Sequence, residues 1–429
     1  MKECEMNIYN ASKLSNGLTV ITSENQNTDI VTISAWIRAG ARYETAGIRG
    51  YAHLLEHMML RGTEHRPSTF DISVVTDRAG AYTNAFTGQE RIYFFIQVEK
   101  HYLKIMCDLL ADVIIHPLFD AAVLENEKKI IVQELQRAYD TPSQLVRIEA
   151  LRNVFGDHPL SHDALGEEKD IRDATSIRLR EYYQLHFDPS AAALIIGGAL
   201  NHAEAVALAE EYFGAWESAA SSADMSNPPR GHGRPCGKVM ASRQTNMVFD
   251  FLGPMLDVKE AVIMNLWEDY LGYGHTSALS RELRHKRGLV YTLSAYDGNF
   301  RDASVFHIET ATDRPYETIL SIRDVLRSAD CRQPPKSFSE LQEQSLAIFS
   351  RRISDSLSEV KFLGEHWVRY EKMITPFEVG AIIKATTSRE FFMAKKKTMT
   401  KQNFFLTMLG PENPGGKNIQ EFYDAFLDE

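Results

Sequence analysis

The sequence predicts an α+β protein of two similar halves, each a mixed or antiparallel sheet covered by helices. Three observations carry this reading. The chain has 429 residues, more than one hydrophobic core usually serves. Strand-like and helix-like segments alternate, and their order repeats after the midpoint. Between the repeats, "ESAASSADMSNPPRGHGRPCG" is rich in Ser, Ala, Pro and Gly and almost free of large apolar residues, the composition of a linker. The halves are therefore drawn at 1–217 and 238–429, with 218–237 between them.

The elements follow in order. In "SKLSNGLTVITSEN" the dipeptide Asn16-Gly17 marks a turn ahead of a β-branched strand. "IVTISAWIRAG" alternates around Trp36 and ends in glycine, a second strand. Helical spacing runs from Tyr51 to Leu60 and again from Phe70 to Arg78, where Gly80 stops it. "AYTNAFTGQERIYFFIQVEK" is extended, with "RIYFFIQV" its clearest strand. Helices then cover "HYLKIMCDLLADVIIHP", closed by Pro117, and "DAAVLENEKKIIVQELQRAYDTP", closed by Pro142. "AAALIIGGAL" is a buried strand, and "NHAEAVALAEEYFGAW" a helix capped by Asn201. In the second half "TNMVFDFLGP", "KEAVIMNLWEDYLG" and "ASVFHIETAT" read as strand, helix and strand, and the late strand "NFFLTMLGP" echoes "AAALIIGG".

Composition narrows the function classes. The chain is 44% hydrophobic and 24% charged, ordinary for a globular protein with sizeable cores. A net charge of −11 argues against nucleic acid, whose phosphates need a basic footprint. Cys4, Cys107, Cys236 and Cys331 are far apart, with no CxxC or zinc-finger spacing, which points to a reducing compartment. "MKECEMNIYNASKL" lacks the apolar stretch of a secretion signal, and no later run is apolar enough to span a membrane. A cytoplasmic protein without membrane attachment is expected.

The chemistry concentrates in "YAHLLEHMMLRGT". A helix turns once in 3.6 residues, so His53 and His57 share a face and can hold one cation. Open zinc sites commonly combine two His with one carboxylate and leave a position for water. Glu56 lies near the same face and can act as a general base without being a ligand. The order HxxEH inverts the commoner HExxH and is itself a zinc-enzyme signature. The alternative is an amphipathic helix with two polar-face histidines. A third ligand must come from elsewhere, and "NEKKIIVQELQRAYDTP" offers Glu127 and Glu134, two turns apart on one face, while Ile131, Val132 and Leu135 can pack. The alternative there is a solvated face of a charged helix.

Four segments, "AGARYETAGIRGYAHLLEHMMLRGT", "AYTNAFTGQE", "ENEKKIIVQEL" and "LRHKRGLVYTLSAY", resemble the pitrilysin/insulinase-type inverted-motif zinc peptidases. The length and two-half layout are most similar to the short-chain branch that includes the mitochondrial processing peptidase and bacterial homologues. The resemblance implies that His53, His57 and Glu134 bind one Zn2+ per chain and that Glu56 is the general base. It implies that Glu127 supports the site, with Gln133 standing where many relatives carry another Glu. It further implies that Asn84 and Ala85 lie on an edge strand that pairs with extended substrate, and that Arg287 and Tyr291 grip substrate carbonyls and the oxyanion. For Asn84 alone the residues suggest a turn, and for Arg287 and Tyr291 a surface basic cluster beside a core tyrosine. The loop "LGYGHTSALS" departs from the glycine-rich form of relatives.

The resemblance also implies half of a clamshell, closing around unfolded peptide as a homodimer or as a heterodimer with a paired homologue. The expected activity is a zinc endopeptidase acting on oligopeptides or on the leader of a precursor peptide. The competing readings are a non-catalytic or regulatory partner subunit of a peptidase pair, and a plain metal-binding protein.

Overall fold

The computed structural model of the chain describes residues 8–217, 228–229, 231, 233–331 and 338–428. The first half runs β1 (Ile8–Lys13), β2 (Thr19–Glu24), β3 (Ile30–Ile37), α1 (Tyr51–Met59), α2 (Thr69–Arg78), β4 (Tyr82–Thr87) and β5 (Ile92–Glu99). It continues with α3 (Leu103–Ile115), α4 (Ala121–Asp140), α5 (Pro142–Phe155), α6 (Glu168–Arg172), α7 (Ser176–His186), β6 (Ala192–Gly198) and α8 (His202–Phe213). The second half runs β7 (Pro235–Val239), β8 (Thr245–Pro254), α9 (Val258–Gly272), a π-helical segment Ser280–Lys286, β9 (Leu293–Asn299) and β10 (Ala303–Thr312). It ends with α10 (Pro315–Cys331), α11 (Phe338–Arg352), α12 (Ser356–Tyr370), α13 (Pro376–Ala385), α14 (Ser388–Thr398), β11 (Phe404–Gly410) and α15 (Ile419–Leu427).

Two sheets form, ordered β1-β2-β6-β3-β5-β4 and β7-β11-β8-β10-β9. Beyond the extra strand β1, they share one plan. In the first, β6 lies parallel to β2 and antiparallel to β3. In the second, β11 lies parallel to β7 and antiparallel to β8. The late strand β11 therefore holds the place that β6 holds in the first sheet, as its apolar composition suggested. All seven residues of each are buried.

Strand alternation explains how the first sheet buries both faces. Ile33, Ala35, Phe94, Ile96, Leu194 and Ile196 face a core shared with α1, α3 and α8. Trp36, Tyr93, Phe95, Ala193 and Ile195 face the other way, onto Val360, Leu363 and Trp367 of α12. The fit there is tight: a Cβ on Gly364 would lie 2.1 Å from Trp36 Cε2.

By packing, the chain divides into two compact units, each assembled from separate stretches of the sequence. The first compact unit holds the chain up to Leu135, the stretch from His162 to the end of α8, and Arg352–Thr375. The second holds Gln136–Ser161, the stretch from β7 to Arg351, and the chain from Pro376 onward. Each half thus gives one helix to the other's sheet. Helix α12 covers the first, and α5 covers the second through Leu145, Val146 and Ala150 on Val248 and Leu409. The physical reason is that a sheet apolar on both faces needs two helical covers. Of the expected linker, residues 218–227, 230 and 232 lie outside the described residues, while Pro235–Gly237 belong to β7.

Candidate metal centre

Helix α1 starts from Gly50, whose φ of 97° few other residues adopt. Its first turn is anchored by a buried carboxylate. Glu44 accepts the N–H groups of Gly50 and Ala52, each at 2.7 Å. Asp170 accepts those of Gly47 and Arg49 at 2.9 and 3.0 Å, fixing the loop before the helix. Tyr51, Ala52, Leu54, Leu55, Met58 and Met59 are buried in the core. That fixes the rotation of α1, so His53, Glu56 and His57 project from the opposite side, each half-buried.

The two imidazoles stand nearly perpendicular, with ring centroids 4.7 Å apart. Helix α4 brings Glu134 to them. Its Oε2 lies 3.8 Å from Nε2 of His53 and 3.8 Å from Nε2 of His57. These gaps are too long for hydrogen bonds. They suit three ligand atoms about a cation, since a tetrahedral site with arms of about 2.0–2.1 Å has edges of about 3.3–3.4 Å. Ile131, Val132 and Leu135 are buried and seat α4, whereas Glu134 keeps 44% of its side chain exposed, leaving the centre open to water.

Glu127, one face of α4 further back, is 5% exposed. Its Oε2 lies 3.1 Å from His57 Nδ1. Arg61 donates to both of its oxygens, Nε to Oε1 at 2.7 Å and a terminal nitrogen to Oε2 at 3.1 Å. A carboxylate paired with a guanidinium accepts only, so His57 must carry its proton on Nδ1. Its Nε2 is then the nitrogen left to face Glu134. An unprotonated Nε2 would repel the carboxylate unless a cation lay between them. Burial, with the neighbouring His57 ring, lowers His53 to about 3, so the His53 ring is neutral and able to ligate at ordinary pH. The residues present therefore fit a zinc ion.

Glu56 stands beside this group but does not join it. Thr87 Oγ1, at the end of β4, donates to Glu56 Oε2 at 2.5 Å. Burial raises the Glu56 carboxyl above its ordinary value, the Thr87 bond and His57 oppose the rise, and Glu134 adds to it. A raised carboxyl suits a base that must also return its proton.

Asn84 and Ala85 lie on β4, which ends the first sheet and pairs only with β5 among the described strands. Asn84 is thus in a strand and not a turn. Its Oδ1 accepts the N–H of Ala85 at 2.8 Å, covering an edge donor with its own side chain. Arg287 and Tyr291 belong to the second unit, after the π-helical segment. Arg287 Nε donates to Glu282 at 2.7 Å. Tyr291 is 77% exposed, with the Arg284 guanidinium 5.1 Å from its ring centre, so it is no core tyrosine.

Sequence reasoning missed Thr87, Arg61, Glu44 and Asp170. Arg61 carried a signal, since it lies one helical turn past His57. The others depend on loops and strand ends that no periodicity describes.

Residues 19–168 match the family described as insulinase (peptidase family M16), and residues 173–344 match the peptidase M16 inactive domain. The chain is similar to an uncharacterized zinc protease of Rickettsia felis, 26% identical over 87% of this chain and 91% of that one. It is also similar to one of Bacillus subtilis, 24% identical over 82% and 88%. The fold is shared with a protease from Helicobacter pylori, with a TM-score of 0.88 at 18% identity over 95% of this chain and 100% of that one. It is likewise shared with a peptidase M16 inactive domain from Pseudomonas fluorescens, TM-score 0.87 at 18% identity over 94% and 98%.

Proposed function

From the premise that this chain belongs to the insulinase family of peptidases, family M16, we propose that it is a zinc-dependent endopeptidase. Its substrates in this reading are unfolded peptides or the leader segments of precursor peptides. One observation carries the reading: two imidazoles and a distant carboxylate meet at 3.8 Å, too far for hydrogen bonds between them, beside a carboxyl that is not one of them.

His53, His57 and Glu134 would hold the ion. Bound there, zinc supplies a Lewis acid that acidifies water and polarises a peptide carbonyl. Glu56 takes the proton of the attacking water and passes it to the leaving amine, and Thr87 holds its carboxyl in place. Glu127 and Arg61 keep His57 in the ligating tautomer. The β4 edge lines up an extended peptide through main-chain hydrogen bonds, once Asn84 releases the Ala85 N–H. Arg287 and Tyr291 donate to the oxyanion, as a cation and a phenol are suited to do. One chain carries both sets of groups, which favours a self-sufficient homodimer that admits unfolded peptide. The absence of a membrane-crossing helix among the described residues is compatible with a cytoplasmic site of action.

The test is cleavage of an unstructured, quenched fluorescent peptide by wild type and Glu56→Gln, with zinc content measured on both. The expected result is equal zinc and a rate lower by roughly 10²–10⁴ in the variant. Equal rates would remove Glu56 from the mechanism. A zinc-loaded wild type that cleaves nothing would favour the non-catalytic partner subunit, a reading that the match of residues 173–344 to an inactive domain keeps in view.

A further inference from the structure

A second group of metal-ligating side chains lies outside the centre just described. His65, Asp112 and His116 each offer one ligand atom, and the three atoms lie within 4.8 Å of one another. The loop after α1 brings His65 to the end of α3. Glu64 donates its N–H to the carbonyl of His116 at 3.0 Å, and Thr63 forms a bridge with Pro117. Asp112 sits in the last turn of α3 and is 3% exposed.

The two oxygens of Asp112 have different surroundings. Oδ2 accepts from Arg66 at 2.7 Å and from the Thr63 hydroxyl. Oδ1 is turned toward two imidazoles, 2.9 Å from His65 Nδ1 and 3.8 Å from His116 Nδ1. An ordinary structural tie accounts for the first contact, because a carboxylate bonded to His65 pins the loop. It does not account for the second. His116 Nδ1 is buried and has no hydrogen-bond partner among the described residues, and it is the atom that faces Oδ1. Leaving such an atom unsatisfied is unfavourable. The rings of His65 and His116 meet at 75° with centroids 5.4 Å apart, near the 81° and 4.7 Å of His53 and His57.

We propose that His65, Asp112 and His116 form a second divalent-metal site. Two imidazole nitrogens and one carboxylate oxygen select zinc, cobalt or nickel over calcium and magnesium, which prefer all-oxygen shells. Asp112 is fixed by Arg66 and Thr63, so the acidic ligand is preorganised. The His65 side chain is 67% exposed, which leaves water to complete the shell and makes this the weaker of the two sites. Occupancy ties the loop after α1 to the end of α3. The proposal does not depend on peptidase activity.

The experiment is titration of metal-free protein with Co2+, read by visible absorption and by metal content after gel filtration. Wild type is expected to bind two equivalents. The double variant His65→Ala/His116→Ala is expected to bind one, with unchanged peptide cleavage and a lowered thermal midpoint in chelator, since the bond from His65 to the buried Asp112 is lost. The double variant His53→Ala/His57→Ala is expected to keep the weaker equivalent, and the fourfold variant to keep none. A single equivalent in wild type would overturn the proposal. So would a second equivalent that survives in His65→Ala/His116→Ala, because the ion would then sit elsewhere.

Discussion

Replacing Glu127 with alanine tests whether the buried carboxylate behind His57 positions the ligand or only fills space. Glu127 is 5% exposed, lies 3.1 Å from His57 Nδ1, and takes two bonds from Arg61 at 2.7 and 3.1 Å. Without it, His57 keeps its place in α1 but loses the acceptor that fixes its proton on Nδ1. Loss of such a partner lowers metal affinity by roughly 10–100-fold, or about 1.4–2.7 kcal/mol. Arg61 is 32% exposed, so water covers much of it once the carboxylate is gone. The cost in fold stability is accordingly put at only about 1–3 kcal/mol. Glu127→Gln keeps one acceptor oxygen for His57 and loses the charge facing Arg61, so its affinity should fall less, by about 10-fold at most. The assay is competition for zinc against chelators of graded strength, with thermal melts of the metal-free proteins as control. If Glu127→Ala holds zinc as tightly as wild type while Glu134→Ala does not, the orienting role is refuted.

Other expectations follow from the same contacts. Arg287→Ala and Tyr291→Phe should each lower kcat/KM for an unstructured peptide by roughly 10–10³-fold with zinc content unchanged; loss of zinc in either would contradict the division of roles. Gly364→Ala should destabilise the protein by about 3 kcal/mol, since the new methyl would meet Trp36 at 2.1 Å; urea unfolding measures this, and a neutral result would deny the close seating of α12. His186 is buried, its ring centre 4.4 Å from that of Tyr182, and burial lowers it to about 4. A depressed value means that the folded state binds this proton less tightly than the unfolded chain. The His186 contribution is therefore whole above about 6.5 and is lost as pH falls toward 4, a loss of about 2 kcal/mol between pH 7.5 and 5. Urea titrations at both pH values should show His186→Phe losing less stability than wild type, and equal losses would sink the assignment.

Much of this was legible in the sequence, for reasons that can be named. HxxEH could be read because α1 is one regular amphipathic turn after another, so spacing alone sets the shared face of His53 and His57. Glu134 could be read because Glu127 and Glu134 keep one helical face and the resemblance singled it out. The repeat of plan was visible in strand order, and β6 and β11 do hold equivalent places. The exchange of α5 and α12 was not visible. Pro142 reads as the end of α4, yet it is also the first residue of α5, where a missing N–H costs nothing. Which sheet α5 covers is decided by Val248 and Leu409, far along the chain. Thr87, Glu44 and Asp170 act through contacts made at loops and strand ends, and their identities carry no period. Asn84 looked like a turn residue because its side chain bonds its neighbour's N–H, which it does here within a strand.

The central claim is that α1 and α4 together hold one catalytic ion, and a crystal structure of the zinc-loaded protein, with anomalous maps at the zinc edge, tests it most directly. The expected map shows a full-occupancy peak about 2.0–2.2 Å from Nε2 of His53, Nε2 of His57 and a carboxylate oxygen of Glu134, with Glu56 beside it and unligated. A peak that leaves Glu134 uncoordinated, or that takes Glu56 in its place, would contradict it.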